Sequence, residues 1–378
     1  MNEPIRIGLI GAGQIGTQHL TNYSRIPEVK VVAVADLYPE KVEASRRNFA
    51  VADGYADYRE LLARDDIDAV DVCVHNNKHA PLSIAALKAG KHVYCEKPMA
   101  GTYRDAANML DTAREQGRML HIQIGTLYEA ETRAARCLIE EGHLGKIYAA
   151  RSYGYRRRGR PFVDGYGTAN FVDRSISAGG ALFDMGVYHI AQLLFLMGNP
   201  GVNTVTGATH QELEMYEERR AFSGYSVEEM GLGWVRLDGG VSFAIEEAWA
   251  VHHDGQESSK ILGSKGGLRL NPLLYFSSLS DMPYSATFDT KAADTRWRSC
   301  FPETAWYGSS QKHWAGALLG RVPLLPTAEI GLNTALISEG IYQSSKAGRE
   351  LTAEEIRTLS QSAAIDPFTP EKVWKELQ

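Results

Sequence analysis

Cysteine is scarce in this sequence: Cys73, Cys95, Cys137 and Cys300 are the four among 378 residues. No two of them form a C-x-x-C pair, which excludes a disulfide framework and a zinc ribbon. Long apolar runs are also missing. The longest, Ile190 to Met197, is broken by Gln192 and falls far short of the roughly 20 residues a membrane span needs. Met1-Asn2-Glu3-Pro4 is not a basic start leading into an apolar stretch, so no secretory signal is expected. With so few thiols, a reduced, cytoplasmic location is the expectation. Positive charge is not in excess. The 40 Lys+Arg against 46 Asp+Glu give a net charge of −6, so no partner among nucleic acids or anionic membranes is expected. Internal repeats and low-complexity segments are lacking too. At 44% hydrophobic and 23% charged residues, the composition is that of a folded globular protein.

At roughly 100–200 residues per domain, the length implies two domains or more. The first third alternates strand and helix signals. Ile5 to Ile10, Val29 to Ala35, Ala69 to Val74, His92 to Cys95 and Met119 to Ile124 read as short buried strands. Helical stretches from Ile15, Pro39, His79 and Arg104 separate them. That alternation predicts an α/β domain over residues 1–124, a doubly wound parallel sheet of Rossmann type. The pattern changes after Gly125. Residues 125–378 read as a second, α+β domain with a mainly antiparallel sheet and helices to one side. Within it, Asp238-Gly239-Gly240 joins two strand-like runs as a hairpin. The tail returns to helix at Ser310 to Leu319, Ala328 to Ala347 and Ala353 to Leu359.

Gly11-Ala12-Gly13-Gln14-Ile15-Gly16 is G-x-G-x-x-G between a strand and a helix. The first glycine allows a tight turn, the second lets a pyrophosphate approach the backbone, and the third lets helix and strand pack closely. The helix start offers free N–H groups and a positive dipole end. Asp36 ends the second strand, about 20 residues on, where a ribose-binding acid belongs. A carboxylate there repels a 2′-phosphate, which favours NAD over NADP. Arg46 and Arg47 would admit NADP if one reached the ribose.

Later residues carry a more specific signal. His92-Val93-Tyr94-Cys95-Glu96-Lys97-Pro98 contains Glu-Lys-Pro after a strand. Asn76 and His79 form a loop of the type P-N-x-x-H, with His75 in place of the proline. Gly179-Gly180-Ala181-Leu182-Phe183-Asp184-Met185-Gly186-Val187-Tyr188-His189 and Ile341 to Gly348 follow in order. Together these resemble the glucose–fructose oxidoreductase/inositol dehydrogenase (Gfo/Idh/MocA) family over nearly the whole chain. The resemblance implies a Rossmann domain followed by an open, mainly antiparallel sheet domain. It implies NAD as cofactor and a small carbohydrate as substrate. It also implies pairing through the sheet, as a homodimer or homotetramer. It assigns Gly11, Gly13, Gln14, Ile15, Gly16, Asp36, Asn76, His79, Glu96 and Lys97 to the cofactor, and Lys97, Asp184, Tyr188 and His189 to catalysis.

The step at which many family dehydrogenases carry their catalytic histidine is Tyr188; His189 comes one later. Asp184 and Tyr188 are i and i+4, on one face of a helix, which makes Tyr188 the expected proton carrier and leaves His189 to reach the rim or to pack. A tyrosine of pKa about 10 needs a nearby cation to act at neutral pH, and Lys97 is the candidate. Lys97 would also hydrogen-bond the reacting oxygen. The run Arg156-Arg157-Arg158-Gly159-Arg160 is either a solvated loop or, through Arg156 and Arg158, a grip on an anionic sugar group. Tyr128 and Tyr155 are further candidate substrate contacts. His252 and His253 point to opposite faces of a strand, and no metal site is expected.

Three functions suit these residues. The first is a dehydrogenase or reductase acting on a ring hydroxyl or ketone of a sugar. The alternative is an NAD-dependent glycoside hydrolase that oxidises C3 transiently, eliminates the aglycone, adds water and reduces the ketone again. That route needs a further acid/base, for which His189, Tyr128 or Tyr155 would serve. The third is a non-catalytic nucleotide- or sugar-binding regulator, against which Lys97, Asp184 and Tyr188 argue.

Overall fold

A computed structural model describes residues Glu3–Thr369. Contacts divide the chain into two units. The first holds the residues up to Ile124, Glu303–Ala328, and the described residues from Ser362 onward. The second holds Gly125–Pro302 and Glu329–Gln361.

The first unit is built on six strands: β1 (Ile5–Ile10), β2 (Val29–Ala35), β3 (Asp53–Tyr55), β4 (Ala69–Val72), β5 (His92–Cys95) and β6 (Leu120–Ile122). All pair in parallel, in the order β3-β2-β1-β4-β5-β6. Helices cover both faces, so the central strands are apolar without alternation: Leu9, Val34, Val70 and Val93 are fully buried. The order reverses between β1 and β4, which opens a crevice at the strands' carboxyl ends. The helix Ser310–Leu318 belongs to this unit as well. Its Trp314 packs with Ile7, Tyr23 and Tyr94. The expected division at residue 124, with everything after it in one domain, therefore needs correction. A late apolar helix supplies a core face that the first 124 residues leave bare.

The second unit carries β7 (Ile147–Tyr155), β8 (Val202–His210), β9 (Met230–Leu237), β10 (Val241–Ala248), β11 (Lys260–Gly263), β12 (Gly267–Arg269), β13 (Leu274–Leu279), β14 (Met282–Thr287) and β15 (Leu351–Thr352). Their order is β14-β13-β12-β11-β7-β10-β9-β8-β15. β9 and β10 form the hairpin, with Val241 opposite Leu237. β7 and β10 pair in parallel at the centre, and the remaining pairs are antiparallel. The stretch Arg174–Leu196 has the length and hydropathy of a membrane span, but 83% of its apolar window is buried inside this unit, as a core helix would be.

On the other side of this sheet, cross-strand partners share a face. Trp234 pairs with Ala244, and Ala244 with Arg151. Leu262 pairs with Ala149, and Phe276 with Gly267 beside it. Trp234, Leu262 and Phe276 thus lie on the face of Arg151, and all three are exposed.

Candidate active site

In the first unit the glycine turn has the geometry its sequence demands. Gly11 has φ +98°, and a Cβ on it would strike the Cys73 carbonyl. A Cβ on Gly16 would strike the Gly11 carbonyl, where helix meets strand. Gly13 faces open space, with nothing within 4 Å of a Cβ built on it. It caps the helix Gln14–Tyr23 without a side-chain bond, so the amides of Gln14, Ile15 and Gly16 stand at a positive helix end with no capping side chain. Asp36 is pinned beside them. Its Oδ2 accepts the Ala12 N–H at 2.7 Å and its Oδ1 the Tyr38 N–H at 3.0 Å. Arg46 is spent on Glu43 and on the Ala52 carbonyl. A cleft adjoins the turn, lined by Gly11, Asp36, Tyr38, Tyr58, Val74 and Lys78 among others. A bare helix end, a glycine without obstruction and a fixed carboxylate fit a dinucleotide with a free ribose.

Beneath the turn lies a buried ionic network that sequence reasoning missed. His19 Nδ1 is 2.8 Å from Asp71 Oδ2, and Nε2 is 2.8 Å from Glu96 Oε1. Cys73 Sγ is 3.1 Å from His19 Nδ1. Burial alone would lower the His19 pKa, but Asp71 and its neighbours hold it well above the usual value. His19, Asp71 and Cys73 have metal-type donors within 4.8 Å of one another. Both ring nitrogens already face carboxylates, however, and an imidazolium satisfies that arrangement as it stands. Glu96 was expected at the cofactor. It is instead buried, with Oε1 on His19 and Oε2 on the Lys97 N–H at 3.0 Å. His79 was also expected there. It is fully buried, with Nδ1 2.7 Å from the Pro98 carbonyl and Nε2 2.9 Å from that of Val74. It braces the two loops that end β4 and β5, and burial pushes its pKa down. Asn76, half-buried, opens the helix Asn76–Lys88. Lys97 is half-buried where β5 ends, held by a backbone that Glu96 and His79 tie down from two sides.

The second unit gathers a second set. Leu182–Gly186 winds as a π-helix turn and runs into the helix Val187–Leu196. Such turns often mark functional positions. Glu228, buried, accepts the Gly180 and Leu182 N–H groups and anchors the start of the turn. Asp184 Oδ2 accepts the Trp249 Nε1–H at 3.1 Å. Arg156 lies 3.9 Å from the same oxygen. His189 Nδ1 lies 2.9 Å from Glu247 Oε2, and Ser152 Oγ donates to Glu247 Oε1 at 2.5 Å. Gly154, opposite Glu247, leaves the room the imidazole needs: a Cβ there would meet His189 Cε1 and Glu247. His189 Nε2 has no hydrogen-bond partner among the described residues, and the side chain is 22% exposed. Burial would lower its pKa, but Glu247 outweighs this and raises it. Tyr188 is half-buried, and its carbonyl accepts from Thr126 Oγ1 at 3.3 Å. Residues 247 and 249 thus hold His189 and Asp184 respectively.

Period two along β7 and β10 sorts the remaining candidates. Ser152 and Gly154 face His189, whereas Arg151, Tyr153 and Tyr155 face the other side. Tyr155 donates there to Glu246 Oε2 at 3.2 Å and lies against Tyr153, ring centroids 4.3 Å apart. It is not a neighbour of Asp184 or His189. Tyr128 is buried at 4% exposure in the turn Gly125–Tyr128. The arginine run is split. Arg160 is fully buried, bound to Asp164, Glu229 and two carbonyls. Arg158 turns to the Glu214 carbonyl and the Tyr216 ring. Arg156 alone stands at Asp184, where it also donates to Tyr166 Oη at 2.9 Å.

A dinucleotide cradle on one unit and a carboxylate-backed histidine on the other define an oxidoreductase of the dinucleotide-dependent class. Comparison with known proteins agrees. Residues 5–124 match the family model described as "Oxidoreductase family, NAD-binding Rossmann fold", and residues 132–269 match the GFO/IDH/MocA C-terminal domain. The chain belongs to the Gfo/Idh/MocA family, and its cofactor is NAD. It is similar to the D-glucoside 3-dehydrogenase of Escherichia coli K12, with 26% identity covering 92% of this chain and 97% of that protein. It is also similar to the levoglucosan dehydrogenase of Pseudarthrobacter phenanthrenivorans, with 30% identity covering 54% of each. The solved structure titled "Levoglucosan dehydrogenase, complex with NADH" shares the fold at a TM-score of 0.75 and 21% identity, covering 93% of this chain and 99% of that one.

Proposed function

We propose that this enzyme transfers hydride between NAD and a ring hydroxyl, or the matching ketone, of a neutral sugar or glycoside. The observation that carries the reading is His189, fixed by Glu247 at Nδ1 and bare at Nε2, on the same turn as Asp184. Bound NAD takes up or returns the hydride. The chain must manage the hydroxyl proton. His189 Nε2 accepts it, Glu247 holds the tautomer and steadies the imidazolium, and Asp184 orients the sugar hydroxyls. Lys97, carried over from the family's Glu-Lys-Pro motif, donates to the reacting oxygen. Arg156 is already opposed by Asp184, which leaves little net positive charge for an anionic substituent and supports a neutral ring. Similarity to a glucoside 3-dehydrogenase along almost the whole chain supports the same substrate class.

The glycoside hydrolase alternative is not favoured. It needs a second acid/base, and Tyr155, which faces the other side of the sheet, is not placed to serve beside His189; the similar proteins are named dehydrogenases. For assembly we propose pairing of two copies through the sheet face bearing Trp234, Leu262 and Phe276, since an exposed apolar sheet face calls for cover. Free thiols at all four cysteines suit the cytoplasm.

The test is turnover by purified enzyme with NAD against free sugars, uronates and aryl glycosides, with NADH and released aglycone followed together. NADH formed in step with oxidation of a neutral sugar or glycoside is expected. NAD-dependent aglycone release without NADH, or preference for uronates, would overturn the reading.

A further inference from the structure

The dinucleotide cleft has a wall that no glycine motif foretells. Ser362–Thr369 returns to the first unit and crosses the helix Asn76–Lys88 beside the cleft. Polar latches hold it. Asp105, itself buried, accepts the Ser362 hydroxyl at 2.6 Å and the Ala363 N–H at 2.9 Å. The Ile365 N–H donates to the Asn77 carbonyl at 3.0 Å. Lys78 Nζ donates to the Thr369 carbonyl at 2.5 Å. Ser362, Ala364 and Asp366 are exposed, and Pro367 and Phe368 turn inward. Phe368 packs against Tyr58, ring centroids 5.3 Å apart, under the Arg59 guanidinium at 4.7 Å. Pro367 lines the cleft itself, together with Asp36, Tyr38 and Tyr58.

We propose that Ser362–Thr369 is part of the cofactor site: a strap whose Pro367 closes the adenosine end of the cleft, held there by Phe368 on Tyr58 and by the Asp105 latch. The proposal rests on the assignment of this cleft to the dinucleotide. The chemistry fits an adenosine. Asp36 stands ready for ribose hydroxyls. Ile10, Val74, Leu82 and Pro367 supply apolar walls for a flat base. The strap contributes little to the core: Ser362, Ala364, Asp366 and Thr369 are exposed, Phe368 packs on Tyr58, which lines the cleft, and Pro367 lines it directly.

The test is binding to full-length Pro367→Gly/Phe368→Ala, and to a chain ended after Gln361. NADH affinity is read by nicotinamide fluorescence and ADP-ribose affinity by displacement of NADH. The proposal expects both ligands to weaken about equally, by tenfold or more, because the strap touches the half they share. Unchanged affinity for both, or a loss for NADH alone, would overturn it. If the shortened chain fails to fold, the double substitution decides. A wild-type chain that binds neither ligand would defeat the assignment of the cleft rather than the strap.

Discussion

Two histidines in this molecule look alike by charge and differ in every respect that matters for function. His19 and His189 are each clasped by a carboxylate at 2.8–2.9 Å, and each has its pKa raised against the pull of burial. His19 has carboxylates on both nitrogens and a side chain only 2% exposed. His189 has one nitrogen bound, the other without a partner among the described residues, and 22% of its side chain exposed. The first can only keep its proton and hold a loop; the second can give and take one. A raised pKa alone therefore does not mark a catalytic histidine. The proposed role of His189 rests instead on its unspent ring nitrogen.

The largest expected effect separates the two directly. His189→Gln should lower kcat for alcohol oxidation by about 10²–10⁴-fold, the usual share of a general base, while leaving thermal unfolding nearly unchanged. His19→Gln should do the reverse. Breaking a buried ion cluster costs about 3–5 kcal/mol, so the melting temperature should fall sharply, while the folded fraction keeps turnover close to wild type. The sign of the pH dependence follows from the raised pKa of His19. Its stabilisation is complete below the unfolded value of about 6.5 and is lost as pH rises through the higher folded value. Chemical denaturation of wild type and His19→Gln across that range checks this. If His19→Gln abolished kcat at full stability, the distinction between the two histidines would collapse.

A finer cut removes only the carboxylate behind His189. With Glu247 present, the His189 pKa lies above its ordinary value, so the neutral base form gains ground only as pH rises past about 6.5. Glu247→Gln leaves burial as the leading influence and should carry the acid limb of the kcat/KM profile to lower pH. Loss of orientation should cost up to about 10²-fold at the plateau. A plateau loss with an unmoved limb would mean that Glu247 packs the helix without tuning the imidazole.

Much of this was legible in the residues, and what was not has physical reasons. Strong apolar runs and glycine turns announced β1, β2, β4, β5 and β6, because a parallel sheet buried on both faces leaves no ambiguity of pattern; the short, half-buried edge strand Asp53–Tyr55 carries no such run. The glycine cradle and Asp36 are local in sequence and were read as such. Glu247 was missed because a glutamate in a strand reads as surface. Yet Phe243, Ile245, Glu247 and Trp249 share one phase of period two, and the first two are fully buried. A carboxylate in phase with a core face was the signal. Motif spacing pointed to Glu96 and His79 but not to their buried partners, because spacing does not distinguish a side chain that touches a ligand from one that holds the touching loop. The strap and the helix at Trp314 were illegible for a different reason: both return over hundreds of residues to a unit that local pattern had already closed.

The smallest expected effect tests the other residue of the same turn. Helical i, i+4 spacing puts Tyr188 with Asp184, and on that count Tyr188 would carry the proton. The π-helix turn at Leu182–Gly186 breaks the count, because it widens the winding between the two positions. On the sheet, Trp249 bonds Asp184, and Glu247, two residues earlier on the same face, bonds His189. Tyr188→Phe removes a phenol proton and almost no volume. It should therefore keep kcat within about threefold of wild type and leave the acid limb where Glu247 sets it, since a general base is worth far more than that. A loss of 10²-fold or more, with a limb moving toward the tyrosine range, would return the proton to Tyr188 and reduce the His189–Glu247 pair to a second buried brace like that of His19.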